Sequence, residues 1–112
     1  MFILKRRLKF ILKKNTEYKI VYEKEAIKEL ENIYLYIKNN LMEKNIAKKT
    51  VGNIISKIKE MEYFPFANRT INVRNKNRKL IVKNYIIIYN VNLKSKIINI
   101  LHIYNQKLEF LF

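Results

Sequence analysis

Residues 78–105 constrain the fold more than any other part of the chain. Three segments in this stretch are rich in β-branched and aromatic residues and therefore predict β-strands at 79–82, 85–91 and 96–103. The segments between them, Lys83-Asn84 and residues 92–95, are short. Because such short connections leave consecutive strands side by side, we predict an antiparallel meander.

Two amphipathic helices are predicted before the meander. Apolar residues recur at spacings of one, three and four residues over 23–39 and again over 43–61. Glu25 in the first turn and Lys38 in the last turn of the first helix suit the helix dipole. Gly52 in the second helix costs about 1 kcal/mol relative to alanine, which predicts close packing at that point.

The order of these elements predicts one α+β domain over residues 16–112. A short strand is predicted at 18–23, Pro65 ends the second helix, and the polar connector at 68–77 is expected to hold another short strand at 70–73. The order β-α-α-β-β-β places a helical hairpin on one face of a small antiparallel sheet. Tyr85 and Tyr89 alternate with other apolar residues and are expected in the core.

Residues 1–15 form a separate basic extension. Leu4, Leu8 and Ile11 fall on one helical face, with lysines and arginines mostly opposite them. A basic amphipathic helix of this kind would bind a membrane surface or RNA. The alternatives are a helix docked on the protein's own sheet, or a frayed extension added by an upstream start codon.

The charge distribution points to an anionic partner. The chain carries a net charge of +15, and residues 69–107 contain nine basic residues and no Asp or Glu. Residues 15–63, in contrast, contain nine basic and eight acidic residues, so the helical half is nearly balanced. Nucleic acid, the ribosome or an acidic protein segment would complement such a basic half.

Several classes of protein are disfavoured by the composition. The chain has no cysteine and a single histidine, so we expect no disulfide, no metal and no cofactor. No apolar run approaches the ~18 residues of a membrane span, and charges interrupt the apolar residues at the start of the chain. We therefore expect a cytoplasmic protein without stable membrane insertion.

The ordered set of segments resembles the RelE/ParE family of toxins from type II toxin–antitoxin systems, whose members include plasmid stabilisation proteins. The resemblance covers residues 18–105 and rests on three stretches: YKIVYEKEAIKELENIYLYI, IISKIKEMEYFPFANR, and RKLIVKNYIIIYNV with IINILHIY. The pattern Arg78, Leu80, Val82, Tyr85 and Tyr89 is most similar to the ParE branch.

The resemblance implies a toxin that inhibits growth unless a cognate, acidic and partly disordered antitoxin binds it. ParE-like members poison DNA gyrase, whereas RelE-like members cut mRNA on the ribosome with basic side chains and a general base. Where the RelE branch carries an arginine late in the strand before Tyr85, this chain has Ile81. The family's arginine just past the last strand falls near Gln106 or Lys107.

Candidate site residues follow from their chemistry. Should the chain be an enzyme, His102 and Tyr104, two residues apart on one strand, would move protons beside Arg78 on a neighbouring strand. The alternative is that His102 shares a half-buried face with Ile98 and Ile100. Five further residues are candidates for binding nucleic acid or the target: Arg69, Arg74, Lys79, Lys83 and Lys107. For the arginines the alternative is a solvated face, which is also the interpretation of the helix acids such as Glu29 and Glu31.

Overall fold

A computed structural model describes residues 18–40 and 42–107 of the chain. In chain order the elements are β1 (Lys19–Tyr22), α1 (Lys24–Asn40), α2 (Lys44–Glu60), β2 (Arg78–Val82), β3 (Tyr85–Asn92) and β4 (Ile97–Asn105). All six elements were predicted, with bounds that agree within two residues. The predicted helix at 1–15 lies outside the described residues.

The sheet has the strand order β1-β4-β3-β2. Strands β2, β3 and β4 form the predicted antiparallel meander, and β1 pairs with β4 in parallel. The expectation of a wholly antiparallel sheet was therefore wrong for β1. Since a parallel pair needs a long crossover, β1 joins β4 only after the chain has passed through both helices, β2 and β3.

Both helices contribute to a core on one face of the sheet. Ala26 of α1 and Ile54 and Ile58 of α2 cluster with apolar residues of β3 and β4, and all three are at most 1% exposed. Tyr89, at the centre of the sheet, is fully buried, and Tyr85 is partly buried against the same cluster. The prediction that these tyrosines belong to the core is confirmed.

An irregularity in the pairing of β3 with β4 reverses the side-chain alternation of β4. Ile88 lies opposite His102, but the next residue of β3, Tyr89, lies opposite Ile100. Leu101 is therefore an extra residue, as in a β-bulge. The expectation that His102 shares a face with Ile98 and Ile100 was therefore wrong. One inserted residue moves every later side chain of the strand to the opposite face of the sheet.

The connector after α2 contains less strand than predicted. Of residues 70–73, Thr70 alone pairs with a strand, through an isolated antiparallel bridge to Arg78. The backbone leaves the extended conformation here because Asn72 accepts hydrogen bonds from residues that follow it, an arrangement that competes with a strand ladder.

Gly52 does not make the close contact that the sequence predicts. It is exposed on α2, and a Cβ atom built on it meets nothing within 4 Å. Four other residues, in contrast, take the positive φ angles that favour glycine: Met42, Lys76, Lys83 and Lys96.

The substitution Gly52→Ala should stabilise the protein by about 1 kcal/mol, because alanine loses less backbone entropy in a helix and has open space here. The measurement is the midpoint of urea unfolding followed by circular dichroism. Lys48→Ala, at an exposed position of the same helix, is the control and should stay within about 0.5 kcal/mol of the parent. A loss of stability in Gly52→Ala would contradict the open surroundings of the residue.

Candidate functional site

The two proton-transfer candidates lie on the face of the sheet that is turned away from the helices, here called the distal face. His102 and Tyr104 alternate with the core residue Ile103 and therefore point to that side. Cross-strand pairing aligns Lys79, Ile88 and His102 in one row and Ile81, Ile86 and Tyr104 in the next. The structure thus brings His102, Tyr104 and Lys79 to one face of the sheet, around Ile86 and Ile88, which are themselves buried.

Arg78 is not part of that surface. It belongs to β2, and β3 separates β2 from β4, so the expected neighbour of the His102 strand is two strands away. Arg78 pairs with Tyr89, which faces the core, whereas its neighbour Lys79 faces the distal side. The predicted set of His102, Tyr104 and Arg78 is therefore divided between the two faces of the sheet.

The Arg78 side chain is bound to the connector that precedes its own strand. Its guanidinium donates hydrogen bonds to the carbonyl oxygens of Phe66, at 3.3 Å, and Asn68, and lies 5.0 Å from the centroid of the Phe66 ring. Nδ2 of Asn68 donates in turn to the Tyr89 hydroxyl at 3.0 Å. Arg78 therefore has a structural role: it fixes the connector over the end of the core.

Burial keeps the core tyrosines neutral. It raises the pKa of the Tyr89 hydroxyl above its ordinary value, and the hydrogen bond from Asn68 and the charge of Arg78 offset only part of this rise. Burial likewise raises the pKa of Tyr22 and of Tyr85. These three phenols are therefore poor general bases near neutral pH.

His102 makes a specific contact with helix α1. Its Nδ1 lies 3.2 Å from Oε1 of Glu29, and the same oxygen accepts the backbone N–H of Ile103 at 3.2 Å. Glu29 is only 24% exposed at its side chain, so the interpretation of Glu29 as solvated surface was wrong. Strand β1 pairs with β4 only as far as Ile100, because β1 ends at Tyr22. Beyond that point the backbone N–H of Ile103 has no strand partner on this edge, and Glu29 supplies its acceptor.

The candidate binding residues do not form one patch. Arg69 and Arg74 lie on the connector, at the end of the sheet where β2 and β4 begin. Lys83 and Lys107 lie at the opposite end, where Asn84 accepts the backbone N–H of Gln106 at 2.6 Å. Lys79 lies between them on the distal face. The basic half predicted from the sequence therefore presents cations at two ends and one face.

An apolar groove between the two helices was not predicted from the sequence. The groove has a volume of about 560 Å³, and its lining consists of Tyr22, Ile27, Leu30, Glu31, Tyr34, Leu35, Val51 and Ile55. Ile27, Leu35 and Ile55 are 45%, 46% and 42% exposed. The available signal was the number of apolar residues on each helix, since Ile27, Leu35 and Ile55 add to those that the core buries.

Metal and membrane sites find no support in the part of the chain that the structure describes. Residues 18–40 and 42–107 contain no group of three or more His or Glu side chains that could hold a metal ion. Within the same residues, no helix is both long and apolar enough to cross a bilayer.

Solved structures of toxins share this architecture. A chain of the chromosomal ParDE toxin–antitoxin system from P. aeruginosa superimposes with a TM-score of 0.69 and 23% sequence identity, over 79% of this chain and 95% of that one. A chain of the archaeal RelE–RelB complex from Pyrococcus horikoshii gives 0.58 and 19%, over 80% and 94%. The intact E. coli RelBE complex gives 0.58 and 14%, over 79% and 95%. These likenesses define the fold as that of the RelE/ParE toxins.

A family model identifies the branch. The model described as the ParE toxin of the type II toxin–antitoxin system parDE matches residues 20–109. A search of curated proteins found no match. The chain belongs to the ParE toxin family.

Glu29→Ala should lower the free energy of unfolding by about 1–2 kcal/mol, because the Ile103 N–H loses its acceptor at the edge of β4. Glu29→Gln keeps an acceptor oxygen at this position and should lose less. The measurements are urea unfolding and the hydrogen-exchange rate of the Ile103 amide. Glu31→Ala, in the same helix, is the control and should leave that amide unchanged. Equal exchange in Glu29→Ala and Glu31→Ala would refute the role of Glu29.

Proposed function

We propose that the protein is the toxin of a type II toxin–antitoxin module and inhibits growth by acting on DNA gyrase. The observation that carries this proposal is the match of the ParE toxin model to residues 20–109. The target comes from the resemblance of the chain to the ParE branch, whose members are described as poisoning DNA gyrase. A cognate antitoxin keeps the toxin inactive until it is released.

The arrangement of the charged side chains supports a mechanism without RNA cleavage. Cleavage of RNA requires a general base and a cation at one scissile phosphate. Here Arg78 binds carbonyl oxygens of the connector and lies on the opposite face of the sheet from His102, so the two do not meet at one phosphate. Ile81 replaces the RelE-branch arginine on the distal face. The basic surfaces then act by binding the target.

Ribosome-dependent mRNA cleavage is the second candidate, and the distal face is the observation that favours it. His102 and Lys79 flank Ile88 in one row of the sheet, and Tyr104 lies in the next row. In that mechanism His102 would move the proton and Lys79 would bind the phosphate. A third candidate, a nucleic-acid-binding module without toxicity, rests on the net charge of +15 alone.

The interhelical groove is the proposed site for the antitoxin. Its lining is almost entirely apolar, and the three partly exposed residues Ile27, Leu35 and Ile55 lie on facing helices. An amphipathic antitoxin helix would lay its apolar face in such a groove. Acidic residues on the rest of the antitoxin would complement the charge of the toxin, and a partly disordered chain would fold as it binds.

Induced expression without antitoxin tests the function. We expect growth arrest in which DNA synthesis fails before RNA and protein synthesis, as measured by separate pulse labels for each. The control is a His102→Phe variant, which should arrest growth equally if no proton transfer is involved. Early failure of protein synthesis with cleaved messages, abolished in His102→Phe, would instead establish the ribonuclease. Normal growth with soluble, folded protein would contradict both toxin mechanisms and would favour the third candidate, a nucleic-acid-binding module without toxicity.

Leu35→Glu should weaken neutralisation by the antitoxin, because a carboxylate in the groove opposes an apolar and acidic partner. The measurement is growth during co-expression of the toxin variant with its cognate antitoxin. Ile46→Glu is the control, since Ile46 is an exposed isoleucine, 51%, on α2 that does not line the groove. Toxicity without antitoxin should persist in both variants. Full rescue of Leu35→Glu by the antitoxin would exclude the groove as its site.

A further inference from the structure

The connector between α2 and β2 ends in a small ordered hairpin, residues 70–78. Thr70 and Arg78 form an antiparallel bridge, and the N–H of Ile71 donates to the carbonyl of Asn77 at 2.7 Å. The hairpin is held to the body of the protein through the Arg78 side chain described above. It is therefore preorganised although its surface is almost wholly exposed.

The tip of this hairpin displays an apolar side chain next to a cation. Oδ1 of Asn72 accepts the backbone N–H of Arg74 at 2.8 Å, and the Asn72 carbonyl accepts the N–H of Lys76 at 2.9 Å. Between them Val73 is 92% exposed. A valine held so far from the core by hydrogen bonds on both sides contributes almost nothing to folding and is available to a partner.

The hairpin lies at the end of the sheet where the β3–β4 turn also lies, and the exposed side chains at that end are here called the basic rim. Two contacts connect the β3–β4 turn to the connector. Nζ of Lys96 lies 5.1 Å from the centroid of the Tyr18 ring, and that ring meets the Phe66 ring edge-on, with 6.2 Å between the two centroids. The exposed residues of the rim are Phe64, Phe66, Arg69, Ile71, Val73, Arg74, Lys76, Leu93 and Lys94. The rim therefore combines cations with large apolar side chains.

We propose that the basic rim docks an acidic protein segment that also carries apolar side chains. Four cations of the rim lie in a stretch, residues 69–107, that contains no acid to neutralise them. Three of the five exposed apolar residues of the rim, Ile71, Val73 and Leu93, are aliphatic and offer no ring for stacking bases. Of the two rings in the rim, that of Phe66 is already covered by the Arg78 guanidinium, 5.0 Å from its centroid. An acidic segment with apolar side chains covers both kinds of group. This partner site is additional to the interhelical groove and includes Arg69 and Arg74, two of the candidates for binding the target.

The test is a set of titrations of the full-length purified chain, followed by fluorescence anisotropy of labelled probes. The first probe is a synthetic peptide that mixes glutamate with leucine and phenylalanine. The second is a polyglutamate peptide of the same length and charge, and the third is a single-stranded oligonucleotide of the same charge. Circular dichroism and the unfolding midpoint of each variant establish that it is folded.

The mixed peptide should bind about tenfold more tightly than polyglutamate, because it alone covers the aliphatic groups. Val73→Ser should remove most of that difference and leave polyglutamate binding unchanged, whereas Arg74→Gln should weaken both peptides. Val21→Ser, at a valine that is 41% exposed on β1, and Lys48→Gln, at an exposed cation on α2, are the matched controls and should bind like the parent.

Three results would overturn the proposal. Equal affinity for the two peptides would mean that the rim is a purely electrostatic surface. No effect of Val73→Ser on the tighter binding of the mixed peptide would mean that the apolar contacts lie elsewhere, as in the interhelical groove. Tighter binding of the oligonucleotide, weakened by Arg74→Gln, would assign the rim to nucleic acid. None of these results involves growth inhibition, so the proposed toxin function stands or falls separately.

Discussion

The burial of Tyr89 is the constraint on which the rest of the structure depends. Its ring fills the centre of the core, but its hydroxyl must keep a hydrogen-bond partner, because an unpaired buried hydroxyl is costly. Asn68 supplies that partner, and Arg78 holds the segment that carries Asn68. The buried Tyr89 phenol therefore determines the position of the connector. It also explains why Arg78, a candidate catalytic residue by type, binds the connector instead of a substrate.

Much of the fold was predictable because each element carries a local signal. Hydrophobic periodicity located the helices and strands, and the short turns required the meander. The parallel pairing of β1 with β4 was not predictable in this way, since it joins segments at opposite ends of the described chain. The extra residue at Leu101 has no local signal either, yet it moves His102 from the core side to the distal face.

The candidate site was harder to predict than the fold, for physical reasons. Residue type suggested that Arg78, His102 and the basic residues act together, but the direction of each side chain depends on register and on partners distant in sequence. Glu29 illustrates this, because it contacts residues more than 70 positions away. The turns show a related effect: lysines take positive φ angles while the one glycine lies in a helix that does not need it.

The position of β4 has a consequence for how the protein is made. This strand lies inside the sheet, between β1 and β3, yet it is the last element of the described chain. During synthesis the earlier elements emerge first, and β1 must wait without its partner until β4 has left the ribosome. Closure of the sheet, with the long-range pairing that makes it slow, is therefore a late event. A nascent chain interrupted before β4 would lack one of the two inner strands of the sheet. Neither face of its sheet would then be complete.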